Sequence, residues 1–238
     1  SIDDSATTAL LNRIRTSDAA ALESQGISIS VGGQTAIQLD LAETIHHSFP
    51  MTILIVIAGS FLLLLLQFRS LAIAAKAGIM NLLSISAAFG ITVAIFQFGW
   101  GRHLLGIDHA GPLQSLVPLL LFPVLFGLSM DYEVFLMSRI SDEWVRTQDA
   151  TAAITNGVAA TARVVTSGAA IMFALFAAMA LSGNRTVETF GVGLAIAVLL
   201  DATVIRSVLL PATMQLLGKY NWWLPSWLQR RLPVLQPV

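Results

Sequence analysis

The chain has 238 residues, of which 55% are hydrophobic and 11% charged, and its net charge is −1. Soluble domains carry about 25% charged residues, so this composition, with a mean hydropathy of +0.76, reads as an integral membrane protein. The near-neutral charge removes the electrostatic case for nucleic acid as a partner. The absence of cysteine excludes disulfides and thiolate metal sites, and His46, His47, His103 and His109 show no metal-ligand spacing, so no metal or other cofactor is expected.

Residues 1–45 differ from the rest. Leu10, Leu11, Ile14, Ala21 and Leu22 fall at helical spacing within Ala6 to Leu22, with Gly26 as a stop. Ile27 to Val31 alternates apolar and polar residues, which predicts a strand ended by Gly32–Gly33. A helix and a strand of this size cannot make a core alone. The segment reads as the end of a larger extracytoplasmic α/β domain, and the chain, starting at Ser1 without a signal-like segment, as a piece of a longer protein or a processed product.

Five apolar stretches follow, at about 48–68, 71–99, 113–139, 152–183 and 186–217, each long enough to cross a bilayer. The expected fold is an all-α polytopic membrane domain over 46–218 after a small α/β fragment, with an interfacial tail at 219–238. Lys76 lies near one end of the second span, where its stem can reach the interface. Asn81, Ser84 and Ser86 suit helix–helix contacts. Gly99 to Gly111 is a glycine-rich loop. Trp222, Trp223 and Trp227, with Arg230 and Arg231, predict an interfacial anchor.

The third span carries the candidate chemistry. Leu113 to Met130 is uncharged and ends in Asp131, Tyr132 and Glu133. A carboxylate in a membrane helix costs about 2.5–3.5 kcal/mol on insertion scales, which makes it a functional-site hypothesis. Gly127 lies one turn before Asp131 on the same face, where it lets a neighbouring backbone approach. The alternative for Asp131 is a carboxylate held for packing specificity. Glu133 is turned about 200° from Asp131 and is expected to reach back toward headgroup water. In the fifth span, Asp201 and Arg206 are about 140° apart on an α-helix and so poor partners. Arg206 is expected to snorkel, and Asp201 to pair with Arg163, either as a structural ion pair or as a second member of a relay.

Orientation follows from basic residues in the connections. Arg69, Lys76, Arg139, Arg146, Arg163, Arg206, Lys219, Arg230 and Arg231 fall on one side. Arg102 and Arg185 fall on the other, joined by Arg13 and Arg15 of the N-terminal fragment. This places the C-terminus in the cytoplasm and residues 1–45 outside the cytoplasmic membrane.

The stretches GLSMDYEVFLMSRI and FGVGLAIAVLLDATVIRSVLLPATMQLLGKYNWWLP resemble the C-terminal half of the MMPL family, within the resistance–nodulation–division superfamily of transporters. VGGQTAIQLD resembles the end of that family's second porter domain. The resemblance implies that the five spans are the last five of twelve, in two pseudo-repeated halves, and that Asp131 and Tyr132 match one of two facing Asp–Tyr pairs that relay protons. It further implies proton-driven export of lipids or other hydrophobic compounds, with the N-terminal half as partner and oligomers possible. The alternative is a non-transporting, lipid-sensing or partner-anchoring module of the same superfamily. No HExxH or GxGD pattern supports an intramembrane enzyme.

Overall fold

A computed structural model describes residues 5–18, 26–28, 30–101, 111, 113–114 and 116–230. The chain divides into two units, Ser1–Met51 and Thr52–Val238. In the first, helix α1 (Ser5–Arg13) runs into a π-helical turn at Ile14–Asp18. The Arg15 guanidinium pairs with the Asp40 carboxylate and donates to the Val31 carbonyl at 3.1 Å. The alternating run expected as a strand forms none among the described residues (Ile29 lies outside them). A strand needs a neighbour to exchange ladder hydrogen bonds, and none is described beside it.

Helix α2 (Gln34–Phe68) begins earlier than the expected span. Gly33, at φ +112°, turns the chain into it, a conformation that a Cβ would oppose. The Gly33 carbonyl accepts from the Ile37 N–H at 3.0 Å. Helices α3 (Leu71–Phe96), α4 (Leu116–Thr147), α5 (Ala150–Met179) and α6 (Arg185–Leu200) follow. The last helix continues through a π-helical stretch, Asp201–Leu209, into α7 (Leu210–Leu217) and a 3₁₀ turn, Gly218–Trp222, before α8 (Ser226–Gln229). Among the described residues there are five helical spans long and apolar enough to cross a membrane, ending with Arg185–Trp222. The stretch expected at 152–183 is one helix, Ala150–Met179.

Three of the helices carry a side-chain cap at the N-terminus. Ser70 accepts from the Ile73 N–H at 3.1 Å and caps α3. Asp149 caps α5 through the N–H groups of Thr151 and Ala152, at 2.8 and 3.3 Å. Asn184 caps α6 in the same way. Such caps satisfy N–H groups that have no partner inside the helix.

In the second unit α4 packs on α5, α5 on α6, and α6 on α3. Gly157 lets α5 approach α4 closely, since a Cβ there would sit 2.6 Å from Ile140 Cγ1 and 2.9 Å from Ile140 Cα. Around it Leu136, Met137, Ile140, Ala153, Ile154, Ile73, Leu210 and Met214 form one buried cluster. The tail closes this end. Trp222 stacks on Trp144 with ring centroids 5.7 Å apart. Buried Asn221 donates to the carbonyls of Met214 and Gly218, at 2.6 and 2.7 Å, and its own carbonyl accepts from the Ser70 hydroxyl. The Leu71 N–H donates to the Trp223 carbonyl at 3.2 Å and Arg69 Nη2 to the Gln229 carbonyl at 2.9 Å. Trp223 and Trp227 are exposed, as an interfacial anchor needs, and Arg231 lies outside the described residues. The tail therefore buttresses the α2–α3 turn as well as presenting aromatic rings.

Replacing Gly157 with Ala forces α4 and α5 apart at backbone level. It is expected to destabilise the fold by about 1–3 kcal/mol, read as a lowered unfolding midpoint in detergent.

Candidate functional site

Hydrocarbon offers no water to a buried polar group, so each such group in the bundle must find a protein partner or carry a cost. Several of those found here converge on one level, where α3, α4 and the π-helical stretch meet. Arg206 Nε donates to Asp201 Oδ2 at 2.6 Å, with the two side chains 5% and 13% exposed. Arg206 Nη2 donates to the Ser129 carbonyl and lies 3.3 Å from Ser129 Oγ. That hydroxyl lies 2.7 Å from Asn81 Oδ1 and 3.0 Å from Asp201 Oδ1. It has one proton for two acceptors, so it can bond to α3 or to the last helix.

The ion partner of Asp201 is thus Arg206, and not Arg163, which is exposed on α5. The reason is the helix type. In a π-helix the bonded neighbour is i+5 rather than i+4, so residues 201 and 206 stand nearly one above the other instead of about 140° apart. Arg206 is turned inward and does not snorkel.

Tyr132 joins this cluster. The Arg206 guanidinium carbon lies 5.1 Å from its ring centroid, a cation–π distance. The hydroxyl faces α5, 3.9 Å from Met172 Sδ, over Gly168, where a Cβ would come within 2.5 Å of it. Ser84, Ser129, Tyr132, Asp201 and Arg206 supply the polar lining of a cavity with about 20 Å³ open to water. That is room for about one molecule, which takes on the order of 10–15 Å³.

Asp131 points the other way. It is exposed, on the side of α4 that no described helix covers, and makes no hydrogen bond or ion pair among the described residues. Gly127 shares that face, and nothing lies within 4 Å of the place a Cβ would take. No neighbouring backbone approaches Gly127 among the described residues, contrary to expectation. The structure therefore brings Tyr132 to Asp201 and Arg206 and leaves Asp131 facing outward.

Two residues were misplaced by sequence reasoning. Glu133 is 3% exposed and Lys76 6% exposed, both inside the bundle and not at its interface. The signal was present for Glu133: a residue about 200° from an outward-facing Asp131 must face inward. It also lies four residues from Ser129, hence on the same face.

Removing one partner of a buried ion pair leaves an uncompensated charge, whereas removing both is often neutral. Arg206→Met is expected to destabilise the protein by about 3–5 kcal/mol, and Asp201→Leu combined with Arg206→Met to recover most of that. Thermal unfolding in detergent measures both.

The chain matches the MMPL family over residues 2–235. It is 41% identical over 209 residues to the mycolic acid-containing lipids exporter MmpL11 of Mycolicibacterium smegmatis, covering 88% of this chain and 22% of that protein. It is 42% identical over 205 residues to the heme uptake protein MmpL11 of Mycobacterium tuberculosis, covering 86% and 21%. It is 37% identical over 205 residues to the trehalose monomycolate exporter MmpL3 of M. smegmatis, covering 86% and 20%. The chain spans about a fifth of the length of these curated relatives.

Proposed function

Because this chain belongs to the MMPL family, whose members are multi-pass membrane transporters, we propose that it is the C-terminal half of a proton-driven exporter of lipids or other hydrophobic compounds. The observation that carries this reading is Asp131, uncovered near the midpoint of a membrane helix whose preceding run, Leu116 to Met130, is uncharged. A carboxylate bare to lipid is costly, so that face is suited to a covering helix, and in a twelve-helix transporter the N-terminal half supplies it. Asp131 and Tyr132 then form one half of a relay whose other Asp–Tyr pair lies on the facing helix. Two carboxylates across such an interface raise the cost of double ionisation, so the pair loads and releases a proton.

Each protonation removes a charge from the interface between halves and changes how the helices pack, which is a two-state element for coupling. One proton moved through 100 mV supplies about 2.3 kcal/mol. On this reading residues 1–45 belong to the outer porter domain and the C-terminus to the cytoplasmic face, an orientation that the distribution of Lys and Arg favours. The names of two relatives, each an exporter of lipids, favour lipids as cargo here.

In the full-length transporter, Asp131→Asn is expected to abolish lipid export while leaving expression and unfolding temperature unchanged. Export at the wild-type rate by that variant would defeat the relay. Saturable lipid binding without proton flux in vesicles of the wild type would point instead to a lipid-sensing module.

A further inference from the structure

One turn toward the Ser70 end from the Asp201–Arg206 cluster lies a second set of ionisable groups. Glu133 Oε1 and Lys76 Nζ are buried and have no hydrogen-bond partner, and neither does Arg206 Nη1. Glu133 stands four residues after Ser129 on α4, and Lys76 five residues before Asn81 on α3, so both lie below the hydrogen bond that joins Ser129 to Asn81. The charged and polar groups that act on Glu133 are Lys76 and Asn81 from α3 and Asp201 and Arg206 from the last helix. Met80, Ile205 and Leu210 line a small space beside Glu133, Asp201 and Arg206 that leaves no room for a water molecule.

Two opposite buried charges whose polar atoms are incompletely bonded are costly. The pair has an alternative of the same net charge, in which the carboxylate takes a proton from the ammonium and leaves a carboxyl and an amine. Such a pair stores one transferable proton. Lys76 is six residues into α3 from its Ser70 cap, about 9 Å along the axis at 1.5 Å per residue. Its side chain can therefore deliver a proton to the helix end. Resting on the reading of proton-driven transport above, we propose that Glu133 and Lys76 form a proton-release station on the cytoplasmic side of the Asp201–Arg206 cluster. Glu133 accepts the proton that leaves Tyr132 and Asp201, passes it to the Lys76 amine, and the resulting ammonium gives it to cytoplasmic water. Because the space between Glu133 and the Asp201–Arg206 pair is dry, entry of the proton waits on a movement of the Glu133 side chain, which keeps the path from leaking.

The test uses the full-length transporter in vesicles of phosphatidylethanolamine and phosphatidylglycerol, with an internal pH dye reporting proton entry. Glu133→Gln, Lys76→Met and the double variant are all expected to unfold near the wild-type temperature and to lose proton entry. A purely structural ion pair predicts that the double variant, which removes both buried charges, regains entry, and that result overturns the proposal. Infrared spectra give a readout independent of transport and of the double variant's folding. A band from a protonated carboxyl is expected in wild type and in Asp131→Asn, and is expected to be missing from Glu133→Gln. Absence of the band from wild type, or its persistence in Glu133→Gln, also overturns the proposal. Loss of proton entry in Glu133→Gln with full entry in Asp131→Asn would remove the Asp131 relay and leave the release station standing.

Discussion

The ion pair between Arg206 and Asp201 is the constraint around which the membrane unit is arranged. A guanidinium inside hydrocarbon is tolerable only where its donors are used. Nε is used by Asp201 and Nη2 by the Ser129 carbonyl and hydroxyl. Meeting those demands ties the last helix to α4, and the Ser129 hydroxyl ties both to Asn81 on α3. The π-helical stretch at Asp201–Leu209 has its explanation here, since it gives up α-helical geometry and brings the two charges into register. π-Helical turns are uncommon and concentrate at functional sites, which agrees with an ion pair next to a tyrosine and a cavity.

Helix α4 separates two kinds of chemistry by its faces. Asp131 and Gly127 look outward, where the described chain offers nothing. Ser129 and Glu133 look inward to α3 and the last helix. Tyr132 lies between them, in contact with Arg206, so under the proposed relay it is the side chain that joins Asp131 to the buried cluster. The proposed relay and the proposed release station are in this sense two ends of one path, and the arginine–aspartate pair is its middle.

The cytoplasmic-facing end as proposed is held by different means. Backbone carbonyls of the tail, at Asn221, Trp223 and Gln229, accept from Ser70, Leu71 and Arg69, and the Trp144–Trp222 stack braces α4 against the same tail. The turn between α2 and α3 contains Arg69 at φ +48°, a conformation that a non-glycine residue adopts at a cost. The contacts of the tail hold that turn in place.

The sequence by itself determined the membrane class, the five apolar helices and the family, because hydrophobicity over some 20 residues and a few invariant-length motifs are properties of the chain read locally. It also marked Asp131 as a carboxylate out of place. It did not find the partner of Asp201, because an α-helical wheel assumes a period that the π-helix breaks. It placed Glu133 and Lys76 at the interface, because composition near a helix end looks the same whether the side chain turns to headgroups or to another helix. Nor did alternation at Ile27 to Val31 make a strand, since a strand exists only with a neighbour to bond. What the tertiary structure alone decided was which polar groups face one another across helices far apart in sequence. In a low-dielectric interior that pairing sets the energy of every charge, and no window of neighbouring residues contains it.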